Sequence, residues 1–151
     1  MKSHFLPLIC LAAALAAPTA TGLAKGSNDP IRVLFLGHGS DHHNSNQYYP
    51  MLSRALGRDA IYFDYVTSVE EALGDAGYLS KFDALLLYAN HGTIAPHQWK
   101  NLKSFVENGG GFVPVHCASW CFGNEPGFDQ LVGGRFASHK TGTFTAKVVD
   151  P

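Results

Sequence analysis

Short apolar runs alternate with amphipathic segments along most of the chain. Five runs have the length of a strand, and they cover residues 31–36, 60–66, 82–88, 112–116 and 144–149. The first is almost continuously apolar, which is typical of a strand covered on both faces, as in parallel sheets. Pro114 conflicts with the fourth strand, because proline has no N–H to donate to a neighbouring strand. That strand must be weakly paired or bent there.

Two segments between these runs have the periodicity of amphipathic helices. The first is predicted to begin at Pro50 and end at Gly57, and the second to begin at Pro96 and end at Gly109. Shorter helical segments are predicted at residues 69–73, 117–122 and, as a helix end or turn, 128–136. Strands that alternate with helices predict a three-layer α/β fold with a parallel sheet, whose strands all end at one edge.

Residues 1–24 have the layout of a secretory signal peptide. Lys2 precedes an apolar run over residues 5–17, and small residues follow, with cleavage expected after Gly22 or Ala24. The run is too short for a comfortable membrane span, so we expect a secreted or periplasmic protein whose mature form does not contact a membrane. An uncleaved anchor is the alternative. Residues 25–30 form a polar leader to the domain.

Charge and cysteine content narrow the class of protein. The formal net charge is −1, and lysine and arginine do not cluster, so we expect no nucleic-acid partner and no anionic membrane partner. The mature part keeps Cys117 and Cys121, which an oxidising compartment could join. Their spacing would strain the side chains, so the disulfide is the less favoured state.

Polar residues with chemical potential follow the ends of the first, third and fourth predicted strands. They are His38, Asp41, His42 and His43, then Asn90 and His91, then His116 and Cys117, with His139 in a later loop. Ligands of open α/β sheets bind at this edge, and histidine both binds metals and moves protons near neutral pH. Their convergence favours metal or proton chemistry, although a lone histidine is more often a loop residue bonded to backbone.

A metal site is the first interpretation of these histidines. Two or three imidazoles with a carboxylate or water suit zinc or a similar divalent ion. The predicted ligands are His43, His116 and His139, with His42 as a substitute for His43 and Asp41 as a carboxylate or supporting partner. Without a metal, no other cofactor is expected, and His116 or His43 would act as general base.

Cys117 offers a second chemistry. It stands at a predicted strand-to-helix turn, where a thiol has a lowered pKa and a nearby histidine could act as its base. The glycines that flank an elbow nucleophile are absent, and Ala118 and Ser119 follow instead. A buried structural cysteine is therefore favoured, and a Cys-dependent amidase-type hydrolase is the alternative.

Several segments together resemble the ThuA-like (trehalose utilisation) domain family of the class I glutamine amidotransferase-like superfamily. The matching segments are residues 32–37, 42–45, 82–91, 109–119 and 131–139. The last two read Gly-Gly-Gly-Phe-Val-Pro-Val-His-Cys-Ala-Ser and Leu-Val-Gly-Gly-Arg-Phe-Ala-Ser-His, and they are quite specific. The resemblance implies a flavodoxin-like three-layer sandwich over residues 31–151. Secreted members are often joined to haem-binding or sugar-active modules, so such a fused or partner module is expected.

The resemblance also implies a role in carbohydrate metabolism, as a hydrolase or lyase acting on a sugar or a 3-keto glycoside. It supports His43, His116 and His139 as shared polar residues. Substrate contacts are predicted for His38, Asn90, His91 and Trp120. Family members continue past Val-Val-Asp-Pro, so we expect the domain to be incomplete at its C-terminal end. The alternative function is a non-catalytic carbohydrate-binding or partner-docking domain of a larger multidomain protein.

Overall fold

Four parallel strands form the centre of the fold. In the computed structural model, which describes residues 29–149, they are β1 (Ile31–Leu36), β2 (Ile61–Val66), β3 (Ala84–Leu87) and β4 (Gly111–Pro114). Their order in the sheet is β2-β1-β3-β4, and every neighbouring pair runs parallel. The predicted parallel α/β fold is thus confirmed. The predicted signal peptide lies outside the described residues.

The helices connect these strands, and most begin at a residue that caps them. They are α1 (Ser45–Leu56), α2 (Val69–Leu73), α3 (Ala76–Leu79), α4 (Pro96–Glu107) and α5 (Pro126–Val132), with 3-10 helices at Gly57–Asp59 and His116–Trp120. The side chains of Asn44, Ser68, Asp75 and Glu125 each accept a hydrogen bond from an N–H of the first turn. Such caps satisfy amides that have no partner within the helix. None of the helices within residues 29–149 is long and apolar enough to cross a membrane.

Apolar side chains pack on both faces of the sheet, which gives the three layers. Leu36 and Leu87 are fully buried on the face covered by α2, α4 and α5. Phe35 is fully buried on the opposite face, where it packs with residues of α1 and β2. The central strands β1 and β3 therefore hold fixed positions, and so do the loops that leave their C-terminal ends.

The structure corrects the predicted start of the first helix. Helix α1 begins at Ser45 rather than at Pro50, because Asn44 accepts the N–H of Gln47 and caps the helix earlier. Pro50 then lies inside the helix and cannot donate to the Asn46 carbonyl. Both residues are exposed, so water can solvate that carbonyl. A local cap thus outweighs the preference of proline for the first turn.

The segment that ends in Trp120 also differs in part from its prediction. Residues 116–120 form a 3-10 helix instead of the start of an α-helix. Pro114 is the last residue of β4, which is an edge strand, so its missing N–H is tolerated there. The Val115 N–H donates to the Leu87 carbonyl at 2.9 Å, which keeps the chain aligned with β3 just before His116.

The predicted strand at residues 144–149 is wrong. These residues have no regular structure, and Phe144 and Val148 are 87% and 79% exposed. Their apolar and polar positions alternate as in a strand, but the described part of the chain offers them no pairing with β4. An alternating pattern predicts which face of a segment can be buried. A strand forms only if the segment also lies next to a sheet edge with which it can pair.

Candidate functional site

A cavity of about 480 Å³ opens at the edge of the sheet where the parallel strands end. Its lining residues are His42, His43, Asn90, His116, Cys117, Ser119, Trp120, Phe136 and His139. The chain runs from β1 to β2 on one side and then crosses to β3 on the other, so the connections diverge between β1 and β3. Crevices at such a divergence are where open α/β sheets bind ligands.

His43 and His116 face each other across the cavity wall. Their ring centroids are 4.6 Å apart and the rings are nearly perpendicular, at 88°. Both residues have left-handed backbone conformations, with φ of 57° and 49°. Non-glycine residues rarely adopt this conformation, and residues that do are concentrated at functional sites. Two separate loops are thus held in unfavourable conformations that bring these two imidazoles together.

His38 fixes the backbone of His43. Its Nε2–H donates to the His43 carbonyl at 2.8 Å, and the ring itself is buried. The His38 N–H donates to Ser45 Oγ at 2.8 Å, and the Ser45 hydroxyl donates back to the His38 carbonyl at 3.1 Å. His38 was predicted to bind substrate, but the structure places it behind the cavity, where it positions His43.

His91 is also placed behind the cavity. Its Nε2–H donates to the Gly37 carbonyl at 2.8 Å, and its ring stacks on Phe122 at a centroid distance of 6.5 Å. The Phe122 N–H in turn donates to the His91 carbonyl at 2.8 Å. These contacts tie the loops after β1, β3 and β4 to one another. Of the four predicted substrate contacts, Asn90 and Trp120 line the cavity, whereas His38 and His91 support it.

The electrostatic surroundings keep His43 neutral. Burial lowers the pKa of its imidazole below the usual 6.5, and the neighbouring imidazoles of His42, His116 and His38 lower it further. The ring of His42 lies 3.9 Å from that of His43. A neutral imidazole at physiological pH can accept a proton, which is the requirement for a general base.

Tyr88, the residue after β3, lies against both facing histidines. Its ring is 6.4 Å from that of His116 and 6.3 Å from that of His43, between centroids. Burial raises the pKa of its phenol, with smaller contributions from Cys117 and Tyr48. The hydroxyl therefore stays protonated at neutral pH. Sequence reasoning treated Tyr88 only as the end of an apolar strand, because nothing in the pattern shows that it meets the histidines.

The loop after α5 completes the cavity with Phe136 and His139. Their rings lie 5.6 Å apart, and the Phe136 N–H donates to the Ser119 carbonyl at 3.1 Å. Neither Ser119 nor Phe136 was predicted as a site residue. The available signal for Phe136 was an aromatic residue within the otherwise polar segment that leads to His139.

A family model described as "Trehalose utilisation", ThuA, matches residues 32–151. That match covers most of the chain and includes every lining residue of the cavity. The chain belongs to the ThuA family. The resemblance inferred from the sequence segments is thereby confirmed.

Two solved ThuA-like proteins share the fold of this ThuA domain. One, from Bacteroides uniformis ATCC 8492, is 19% identical with a TM-score of 0.59, over 74% of this chain and 47% of its own. The other, from Parabacteroides merdae ATCC 43184, is 25% identical with a TM-score of 0.55, over 68% of this chain and 38% of its own. The chain thus spans less than half the length of either relative. No curated protein matches it.

The cysteines of the ThuA domain do not have the environment of a nucleophile. Cys117 and Cys121 are free and buried. Burial raises the pKa of the Cys117 thiol, and it raises that of Cys121 to about 12, where Sγ–H donates to the Ala89 carbonyl at 3.0 Å. The lowered pKa expected for Cys117 is therefore wrong. The 3-10 helix that contains Cys117 is short, and desolvation of the thiolate dominates instead.

The predicted metal ligands share the cavity without converging on one point. His43, His116 and His139 all line it, but no group of three or more histidine, cysteine, aspartate or glutamate side chains within residues 29–149 could hold a metal ion. Asp41, the predicted carboxylate, is exposed and does not line the cavity. In this arrangement the residues do not fit the predicted zinc site, which stays a prediction, and we assign no chemical step to a metal.

Proposed function

We propose that this ThuA domain binds a carbohydrate in the histidine cavity and that His43 acts on it as a general base. The observation that carries this function is the facing pair of His43 and His116, held on two left-handed backbone positions. Strain of this kind persists only where the surrounding structure enforces it. The His38 hydrogen bond to the His43 carbonyl is one such constraint.

The cavity has the size and chemistry for a sugar. Its volume of about 480 Å³ lies within the range of small-molecule sites. Trp120 and Phe136 are 46% and 43% exposed at its rim, and their rings offer flat apolar surfaces to a sugar face. Asn90 and Ser119 supply polar atoms for sugar hydroxyls.

A 3-keto glycoside, which the family resemblance implies, suits a neutral imidazole base. A ketone acidifies the C–H bond beside it, so His43 can remove that proton. The electron pair left on carbon then expels the glycosidic oxygen, the C–O bond breaks, and His116 donates a proton to the leaving oxygen. The products are a keto sugar with a new carbon–carbon double bond and a free alcohol, which are the products of a lyase. Tyr88 lies close enough to both rings to orient them.

A second candidate function is non-catalytic carbohydrate binding. The half-exposed rings of Trp120 and Phe136 favour it, because aromatic rims bind sugars without any reaction. A fused or partner module, which the family resemblance implies, would then supply the chemistry. Under either function we propose that the protein is secreted or periplasmic, because its sequence begins with a predicted signal peptide.

The test is the variant His43→Asn, compared with His97→Asn. Asparagine tolerates a left-handed backbone better than most residues, so the substitution removes the base and keeps the loop. His97 is an exposed histidine of α4 outside the cavity, which makes it a matched control. We expect turnover of a 3-keto glycoside to fall about 100-fold or more in His43→Asn, with binding of methyl glucoside retained.

Three outcomes separate the candidates. Loss of turnover in His43→Asn, with turnover retained in His97→Asn, supports general-base catalysis by His43. Binding of methyl glucoside by a wild-type domain that turns over no keto-glycoside supports the non-catalytic function. Unchanged turnover in His43→Asn would contradict the assigned role of His43, and absence of both binding and turnover in the wild type would contradict a carbohydrate site altogether.

A further inference from the structure

The Gly-Gly-Arg segment after α5 has no part in the chemistry proposed above, although Arg135 reaches the wall of the cavity. Gly133 caps α5 with φ of 87°, a left-handed conformation, and its N–H donates to the Asp129 carbonyl at 3.0 Å. This turn reverses the chain and directs it back toward the 3-10 helix His116–Trp120.

The guanidinium of Arg135 makes hydrogen bonds to two backbone carbonyls and one carboxylate. Nη1 donates to the Trp120 carbonyl at 3.0 Å and Nη2 to the Cys121 carbonyl at 3.1 Å. Nε donates to Asp129 Oδ2 at 3.0 Å. The final carbonyls of a helix have no partner within it, so the arginine satisfies groups that the 3-10 helix leaves open.

These contacts connect three separate parts of the fold. Asp129 belongs to α5, Trp120 and Cys121 lie at the end of the 3-10 helix, and Arg135 lies in the loop between α5 and His139. The next residue, Phe136, donates its N–H to the Ser119 carbonyl at 3.1 Å. The backbone that presents His116 is therefore held at its far end by one side chain.

We infer that Arg135 is the positioning residue of the cavity, which holds the 3-10 helix so that His116 and Trp120 face the ligand and places Phe136 and His139 opposite them. Its planar fork matches two adjacent carbonyls and a carboxylate, a geometry that one ammonium group does not reproduce. Arg135 acts through the residues that it holds and needs no contact with the ligand. The ligand-binding part of its test rests on the proposed function, whereas the conformational part does not.

The conformational test uses Trp120 as a reporter. The chain has two tryptophans, so Trp99→Phe leaves Trp120 as the only indole. In that background we expect Arg135→Ala to shift the Trp120 emission to longer wavelength and to increase its quenching by acrylamide. Millimolar methylguanidinium should restore both signals by occupying the vacated site, and methylammonium at the same concentration should not. Circular dichroism of each variant shows that the fold is retained.

Arg135→Lys and Arg54→Ala complete the set. The lysine variant keeps the charge and is expected to stay impaired, because it lacks the fork. Arg54 is an exposed residue of α1, so its variant measures the effect of losing an arginine elsewhere. Affinity for methyl glucoside should fall about tenfold in Arg135→Ala and recover with methylguanidinium, because the loss of the three intramolecular hydrogen bonds releases the cavity wall that carries Trp120 and Phe136.

The outcomes decide the role of Arg135 separately from the sugar. A Trp120 signal unchanged in Arg135→Ala, equal to that of Arg54→Ala, or fully preserved in Arg135→Lys would overturn the role. If Arg135→Ala fails to fold, the emission and quenching of Arg135→Lys decide by the same criterion. If the wild type binds no sugar, the proposed function fails, and the methylguanidinium response of Trp120 still decides whether Arg135 positions the wall.

Discussion

His38→Ala tests whether the left-handed backbone of His43 depends on a buried imidazole. The substitution removes the hydrogen bond from His38 Nε2–H to the His43 carbonyl, which measures 2.8 Å. His38 as a residue is only 6% exposed, so removal of its ring also leaves a space in a packed region. The two hydrogen bonds between the His38 backbone and the Ser45 hydroxyl do not involve the imidazole and should remain.

The expected loss of stability follows from two contributions. A hydrogen bond of this kind contributes about 1 kcal/mol net to the free energy of unfolding. Removing most of a buried ring adds about 1–2 kcal/mol, since a substitution to alanine leaves a cavity that closes only in part. The sum of about 2–3 kcal/mol lowers the melting temperature by roughly 6–12 °C for a domain of this size. His43 then also loses a restraint on its strained conformation.

His38→Gln is the matched control, because a glutamine amide can donate to the same carbonyl. Urea unfolding gives the differences in the free energy of unfolding among wild type, His38→Ala and His38→Gln. The comparison holds if the dependence of that free energy on urea concentration has the same slope in all three proteins. We expect the glutamine variant to recover about 1 kcal/mol and part of the turnover. Equal stability and equal turnover in the two variants would show that the hydrogen bond does not hold His43, and the reasoning from strain would then be refuted.

Two further predictions concern titration. Burial lowers the pKa values of His43 and His91 below 6.5, so protonation favours the unfolded chain, and stability should fall as pH drops below 6.5 and level off below the lowered values. Across about pH 5 to 8, the free energy of unfolding should depend less on pH in the double variant His43→Asn/His91→Asn than in the wild type. An equal pH dependence in the two proteins would contradict this prediction. Burial raises the thiol pKa values, so we expect iodoacetamide to leave Cys117 and Cys121 unmodified in the native domain at neutral pH, as mass spectrometry would show. Rapid labelling of Cys117 would contradict this and revive a cysteine nucleophile.

The central strands were predictable because burial on both faces leaves a strong signal. The apolar run at residues 31–36 became β1 with the same limits, and residues 82–88 contain β3. The start of α1 was not predictable from Pro50, since a single hydrogen bond from Asn44 decides it. At residues 144–149 the alternation of apolar and polar positions predicted a strand, but the segment pairs with no strand within residues 29–149 and has no regular structure. Local pattern thus predicts burial better than it predicts pairing.

The histidines of the site were predictable for a topological reason, and their roles were not. Parallel strands end at one edge, so residues after β1, β3 and β4 had to approach one another. Which of them would face the cavity depends on hydrogen bonds between loops, and those bonds turned His38 and His91 toward backbone carbonyls. Tyr88 was missed for the same reason, because only the tertiary fold places it beside both imidazoles.

The two facing histidines are held by two independent sets of hydrogen bonds, which explains how a strained pair can persist. His38 holds the backbone of His43 within the loop after β1, whereas Arg135 holds the far end of the helix that carries His116. Each set lies outside the space where a ligand would sit, so neither competes with it. A left-handed backbone costs about 1–2 kcal/mol per residue, which one well-placed hydrogen bond can offset. A pair that needed no precise geometry could relax to ordinary backbone conformations, so this cost argues that the position of the imidazoles is what the fold maintains.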